Sequence, residues 1–225
     1  MSFLYEEKAS RSAFVDVIWH TLDTSDGIYL ASADACWDLI VTRATDGCSV
    51  RLSGPSSKPT SVAYTAGNRN VGIRFRTGVY FTHGDPCAMF DRTITLPMLS
   101  ESTFALAGRE WDLPTYGDID DFVDELAAVG LLADDAIVSA ALDGAVDEVS
   151  PRSVQRHFSR VIGLTPRQAH QVARAREAVA RLQTGEPIAA VSYELGYADQ
   201  AHMSRDVKRL TGYTPGQSRH RGEPI

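Results

Sequence analysis

The sequence predicts an α+β fold, in which an N-terminal strand-rich domain, shaped as a small barrel or sandwich, precedes an all-α domain with two similar helical modules joined by a long helix. Three observations support this prediction: short runs of β-branched and aromatic residues in the first half, an internal repeat in the last third, and opposite net charges of the two parts. The chain has 225 residues, 44% of them apolar, which is enough to bury a core in each part.

Strand signals are confined to residues 1–115, which we assign to the first domain. Turn-forming runs such as SGPSSKPT and GNRN separate short segments rich in β-branched and aromatic residues. The clearest segments are GIYLAS, CWDLIVT, SVAYTAG and VGIRFRTGVYF. Short strands at this spacing are typical of a small barrel or sandwich.

A connecting amphipathic helix is predicted over residues 116–132, before a helical domain over residues 133–225. The segment YGDIDDFVDELAAVGLL has acidic residues on one face and an apolar stripe on the other. The stripe consists of Ile119, Phe122, Val123 and Leu126. It can pack on its own domain or form a dimer contact, and the sequence leaves both open.

The internal repeat is two similar 17-residue segments, 49 positions apart. SPRSVQRHFSRVIGLTP, from Ser150, matches DQAHMSRDVKRLTGYTP, from Asp199. Both segments begin with a residue suited to an N-cap, and both reach a glycine, Gly163 or Gly212, suited to the left-handed conformation at a helix end. Each predicted helix has one apolar stripe, formed by Val154, Phe158 and Val161 in the first copy and by Met203, Val207 and Leu210 in the second.

Apolar segments that could form supporting helices precede both copies, which makes each a helix-turn-helix pattern. Before the second copy, EPIAAVSYELGY places Pro187 at the first helical position and Gly196 at the turn. Between the copies, TPRQAHQVARAREAVARLQTG predicts a continuous helix of roughly 18 residues, about 27 Å long. This spacer could hold the two repeat helices at a separation close to the roughly 34 Å between successive major-groove segments of DNA. Its arginines, Arg174, Arg176 and Arg181, would contact phosphate or form a solvated face.

Charge separates the two parts of the chain. Residues 150–225 contain 12 Lys and Arg against 6 Asp and Glu, a net charge of +6, which leaves 10 against 23, or −13, for residues 1–149; together they give −7. A basic domain in an acidic chain favours a polyanionic partner. Arginine can bind guanine, and glutamine can bind adenine, in the major groove. The outer faces of both repeat helices carry these residue types.

With these motifs, the segment from about Ala136 to Arg219 resembles the DNA-binding domain of AraC-type bacterial transcription regulators. The resemblance is strongest in IAAVSYELGYADQAHMSRDVKRLTGYTP, with its closing G-x-TP. It implies that base edges are contacted by Arg152, Gln155 and Arg156 in the first copy and by Gln200, Ala201, His202 and Arg205 in the second. The sugar-phosphate backbone is expected to meet Ser159, Ser204, Lys208 and Arg209. The resemblance also implies RNA polymerase as a partner. One departure is an acidic stretch between Leu142 and Ser150 where the family has a tight turn.

The N-terminal half more loosely resembles a cupin-like domain that precedes such DNA-binding domains. The resemblance lies in DACWDLIVT and in VGIRFRTGVYFTHGDPCAMFDRTITLPML. It implies a sensing or dimerising role and leaves open a small-molecule effector and a homodimer.

Other classes of protein have weaker support. Cys36, Cys48 and Cys87 lack CxxC spacing, and His20 and His83 are isolated, so neither a disulfide framework nor a metal site is expected. No cofactor fingerprint, signal peptide or apolar run of about 18 residues occurs, which favours a cytoplasmic protein with no membrane contact. We therefore expect a double-stranded DNA-binding transcription regulator that is not an enzyme. The alternatives are a module whose basic helices dock on an acidic protein, and an enzyme using Cys87.

Overall fold

The computed structural model has strands in its first half and helices in its second, which confirms the α+β prediction. It describes residues 3–142, 144–145 and 149–219. The strands are β1 (Phe3–Lys8), β2 (Val15–Asp23), β3 (Gly27–Ala31), β4 (Asp38–Ala44), β5 (Gly47–Ser53), β6 (Thr60–Tyr64), β7 (Arg69–Phe75), β8 (Val79–Phe81), β9 (Thr93–Leu96), β10 (Thr103–Leu106), β11 (Arg109–Asp112) and β12 (Leu132–Asp134). The helices are α1 (Ile119–Ala128), α2 (Ala136–Leu142), α3 (Pro151–Val161), α4 (Pro166–Gln183), α5 (Ile188–Glu194), α6 (Gln200–Thr211) and α7 (Pro215–Ser218), with a 3-10 helix at Pro86–Met89.

The N-terminal domain is built on a six-stranded antiparallel sheet in the order β1-β2-β7-β4-β5-β9. Three two-stranded ribbons, β3-β6, β8-β12 and β10-β11, complete it. Because side chains alternate along a strand, the sheet has an apolar face and a mixed face. Val41 pairs with Val50 on one side and Val71 on the other, and all three valines are buried in the core. The four predicted strand segments coincide with β3, β4, β6 and the β7-β8 pair.

Helix α1 lies within the predicted connecting segment and covers the apolar face of the N-terminal domain. All four residues of its predicted stripe are buried in the same core as the sheet. That stripe packs on its own domain and is not exposed for a dimer contact. The following strand β12 pairs with β8, so sheet pairing extends to Asp134, across the predicted boundary at residue 133.

The helical domain has a separate core around α4, which is 18 residues long, as predicted. Helix α4 begins with a capping box between Thr165 and Gln168, and its inward face is buried. The supporting helix α5 begins one residue later than predicted. Pro187 has extended backbone angles and is the N-cap, so it is not the first helical residue. No helix in the described ranges is long and apolar enough to cross a membrane.

Candidate nucleic-acid interface

The first repeat helix, α3, has the predicted ends and the predicted two faces. Ser150 accepts a hydrogen bond from the Ser153 N–H at 3.2 Å, and Gly163 follows the helix with a φ of 75°. Phe158 and Val161 are buried, whereas Val154 is only partly buried. The predicted DNA-contacting residues of this helix are all exposed: Arg152, Gln155, Arg156 and Ser159.

A buried carboxylate outside the repeat holds α3 in place. Asp135 Oδ2 lies 2.7 Å from His157 Nδ1 and accepts a hydrogen bond from Arg160 Nη2 at 2.9 Å. Asp135 Oδ1 also accepts from the N–H groups of Ile137 and Val138 at the start of α2. Burial acts to raise the pKa of Asp135, but the hydrogen bonds from His157, Val138 and Arg160 outweigh it and lower the pKa. The segment between Leu142 and Ser150 that departs from the family lies largely outside the described residues.

The second repeat helix, α6, forms a helix-turn-helix with α5. Gly196, with a φ of 68°, makes the turn, and Asp199 caps α6 by accepting from the His202 N–H at 2.6 Å. The predicted stripe of Met203, Val207 and Leu210 is completely buried. The exposed predicted contacts of this helix are Gln200, Ala201, Arg205, Lys208 and Arg209.

Three other side chains contact a buried carboxylate on α6. Asp206 lies 3.1 Å from Arg209 Nη2, 3.5 Å from His202 Nε2 and 3.6 Å from Arg174 Nη2. The Arg174 guanidinium also stacks 4.0 Å from the centroid of the Tyr197 ring. His202 and Arg209, both predicted DNA contacts, are therefore turned toward α6 itself. The hydroxyl of Ser204 donates to the Gln200 carbonyl at 2.8 Å.

The spacer arginines are also used inside the protein, which favours neither a phosphate contact nor a freely solvated face. Arg174 joins the Asp206 cluster, and Arg181 pairs with Glu186 and Glu194. Arg176 lies 3.9 Å from Cys36 Sγ in the N-terminal domain. By contrast, six polar side chains of the repeat helices form no hydrogen bond or ion pair within the described part of the chain: Arg152, Gln155, Arg156, Gln200, Arg205 and Lys208. Uncommitted donors are thus concentrated on the outer faces of α3 and α6.

The N-terminal domain contains a cavity of about 280 Å³ between the mixed face of the sheet and the β3-β6 ribbon. The rings of Phe3, Tyr29 and Tyr64 line it, with centroids 5.8 to 6.3 Å apart. Arg51, Arg74 and Asp23 line the sheet side of this cavity. Arg74 pairs with Asp34 at 3.4 Å and Asp38 at 3.3 Å. The sequence showed aromatic residues here, but not which of them would share one cavity.

Other chemistry finds little support in the described residues. They contain no group of three or more His, Cys, Asp or Glu placed to hold a metal ion. The Cys87 Sγ lies 2.7 Å from the Ser159 carbonyl oxygen and 3.2 Å from that of Arg160, so its single S–H is shared between these two acceptors. Burial and the nearby Asp85 raise the pKa of this thiol, whereas a reactive cysteine needs a lowered pKa.

Comparison with solved structures gives alignments that cover most of the chain at low sequence identity. ToxT from Vibrio cholerae has 10% sequence identity and a TM-score of 0.48, with 96% of this chain and 97% of that chain covered. ToxT bound to (E)-4-(8-methylnaphthalen-1-yl)but-3-enoic acid has 11% identity and a TM-score of 0.47, with 96% and 98% covered.

Sequence comparisons find a family match in the C-terminal region and a relative that aligns with part of the chain. Residues 147–221 match a family model described as a helix-turn-helix domain. The regulatory protein ada of Salmonella typhimurium is 32% identical over 104 residues, which are 46% of this chain and 30% of that protein. The chain thus spans under a third of the length of this curated relative. The match to the family model spans both repeat helices, so the C-terminal region of the chain is similar to helix-turn-helix domains.

Proposed function

We propose that this protein is a sequence-specific transcription regulator that inserts α3 and α6 into successive major-groove segments of double-stranded DNA. The observation that carries the proposal is the pair of repeat helices, each buried on one side and each bearing uncommitted Arg and Gln side chains on the other. Helix α4 joins them with about 27 Å of rigid backbone. Two similar basic faces joined in this way can enter the major groove on two successive turns of one duplex.

We assign base contacts on α3 to Arg152, Gln155 and Arg156, and base contacts on α6 to Gln200, Ala201 and Arg205. Ala201 would meet a thymine methyl group. Ser159, Ser204 and Lys208 would meet the sugar-phosphate backbone. His202 would also meet a base edge and Arg209 the sugar-phosphate backbone. To do so, both side chains would have to turn away from Asp206.

The test is recovery of bound fragments from genomic DNA by the full chain, followed by affinity measurements at several salt concentrations. Affinity should fall steeply with salt because phosphate contacts release counterions. Arg205→Ala should reduce selectivity at one position of the recovered site. Arg167→Ala removes an exposed arginine of α4 outside both repeat-helix faces and is the matched control.

The alternative class, docking of the basic helices on an acidic protein, predicts a different result. In that case the chain would recover no preferred DNA sequence, and Arg205→Ala and Arg167→Ala would lower binding to any polyanion equally. An equal loss on all DNA sequences would also demote Arg205 to a phosphate contact.

We further infer that the N-terminal cavity binds a small-molecule effector. Its three-ring wall can enclose a small ligand, and Arg51 can orient that ligand. Strand β3 places Tyr29 and Ala31 against the cavity and Leu30 against the end of α6, so a movement of β3 reaches the second repeat helix. A thermal-shift screen of metabolites tests this: a hit should stabilise the wild type and lose its effect in Arg51→Ala.

Contacts with RNA polymerase and action in the cytoplasm belong to the same proposal and rest on the family resemblance. A homodimer would have to use a surface other than the stripe of α1, which is buried in its own domain. Sedimentation of the full chain, with and without the recovered DNA, tests it.

A further inference from the structure

The ends of both repeat helices contact the N-terminal domain at equivalent positions of the repeat. Gly163 and Gly212 match under the 49-residue shift, and both have left-handed φ angles, 75° and 82°. A methyl group added to Gly163 would lie 2.6 Å from Cγ of Phe90, and one added to Gly212 would lie 2.6 Å from Cδ1 of Leu30. Each helix end is therefore covered by one apolar side chain of the other domain.

The same domain also supplies a hydrogen-bond donor to each helix end. The last carbonyls of a helix lack partners within the helix. The single S–H of Cys87 is shared between the carbonyls of Ser159 and Arg160 in the last turn of α3. The Ala33 N–H donates to the carbonyl of Leu210 in the last turn of α6, at 2.7 Å. Two unrelated segments thus make the same kind of contact with the two copies.

A short segment, residues 54–57, joins these two contact points inside the N-terminal domain. Asp91, next to Phe90, accepts hydrogen bonds from the Ser57 N–H and hydroxyl, both at 2.7 Å, and its own N–H donates to the Pro55 carbonyl. The backbone carbonyl of Asp34, next to Ala33, accepts from the Ser56 N–H at 2.7 Å, and the Asp34 N–H donates to the Ser56 hydroxyl at 3.1 Å. The segment that contacts α3 and the segment that contacts α6 are therefore hydrogen-bonded to the same short stretch of chain.

We propose that the N-terminal domain sets the separation of the two repeat helices through these contacts, and so selects the spacing between the two halves of the DNA site. We call Phe90, Cys87, Leu30 and Ala33 the brace. Within the helical domain, α3 and α6 share the core around α4, and the turns that join α4 to α3 and α5 contain Gly163 and Gly185. The brace adds a second connection between α3 and α6, which runs through the N-terminal domain. The selection of a DNA half-site spacing rests on the proposed function. The fixed distance between α3 and α6 does not.

The first experiment measures the separation without DNA. Spin labels carried by unnatural amino acids at Gln155 and Lys208 leave the native cysteines untouched, and pulsed dipolar spectroscopy gives the distance distribution between them. It should be narrow in the wild type and broad in Phe90→Ala and in Leu30→Ala. Phe90→Leu keeps an apolar cover and should restore the narrow distribution. Ile28→Ala, on the same strand as Leu30 but 71% exposed, is the matched control.

The second experiment measures affinity for the recovered DNA site with one or two base pairs inserted between its halves. One base pair turns the second half by about a tenth of a helical turn, so the wild type should lose affinity on the order of tenfold. Phe90→Ala and Leu30→Ala should lose clearly less from the insertion. An equal loss of affinity at every spacing, or tighter binding at every spacing, would overturn the proposal.

The two experiments separate this inference from the proposed function. If the wild type selects no DNA, the proposed function fails, and the distance measurement alone decides whether the brace fixes the helices. An unchanged distribution in both alanine variants overturns the brace, whatever the DNA result.

Discussion

The two repeat helices share a sequence pattern but are supported by different parts of the molecule. Helix α6 buries five residues and carries its own carboxylate, Asp206, which binds Arg174 from α4. Helix α3 buries only Phe158 and Val161, and its carboxylate partner, Asp135, follows strand β12 of the N-terminal region. The second helix therefore has more support from its own domain than the first, although the N-terminal domain contacts the ends of both. Similar sequence repeats do not guarantee equal support.

The largest effect should come from the side chain that anchors the first repeat helix in the shared core of the helical domain. Phe158→Ala removes a fully buried ring, one of only two buried side chains on α3, and should lower the free energy of unfolding by about 4 kcal/mol. Met203→Ala, in the better-filled second helix, should cost about 3 kcal/mol. Denaturant unfolding followed by circular dichroism measures both. Val154→Ala, only partly buried, is the control, and an equal cost for Phe158→Ala and Val154→Ala would contradict the comparison.

The Asp206 cluster should be the next most sensitive point. Asp206→Ala leaves Arg174, His202 and Arg209 without their shared carboxylate and should cost about 2 kcal/mol, since these partners are partly exposed. Thermal or denaturant unfolding gives the value. Glu177→Ala, an exposed acid on α4, should change stability little. A loss no greater than that of Glu177→Ala would show that α6 is held by its apolar stripe alone.

The loss of DNA affinity caused by removing an arginine should differ between the two helices, by about 1 kcal/mol. We expect Arg205→Ala to cost about 2 kcal/mol on the recovered site and Arg156→Ala about 1 kcal/mol, because the better-supported helix presents its arginine with less loss of freedom. Fluorescence anisotropy at fixed salt measures both, with Arg167→Ala as the control. Equal costs for the two arginines would mean that the brace makes the first helix as rigid as the second.

The smallest expected effect is a pH dependence of the first helix. The pKa of Asp135 is lowered in the folded chain, so its charged form adds stability above its unfolded pKa, and this stability is lost as the pH falls through the folded pKa. Melting temperatures of wild type and Asp135→Asn, measured from pH 6 to about pH 2, should converge as the pH falls below about 4, the unfolded pKa of an aspartate. A constant difference over this range would mean that the charge of Asp135 contributes nothing.

Most of the helical domain could be predicted because its signals are local. Caps at Ser150 and Asp199, glycines at the helix ends and the apolar stripes lie within single helices, and the structure has them where they were expected. The roles of the spacer arginines could not be predicted in this way. Whether Arg174 meets phosphate or Asp206 depends on how α4 packs on α6, and no local pattern records that packing.

The sequence by itself determined the order of the two domains, the repeat, the length of α4 and the exposed basic faces, because helix periodicity and capping act over a few neighbouring residues. Only the tertiary structure decided the strand order of the sheet, the cavity and the brace. Those features bring together residues such as Leu30 and Gly212, or Phe90 and Gly163, that are far apart in the chain. Their contact depends on long-range packing between two domains, which neither segment specifies alone.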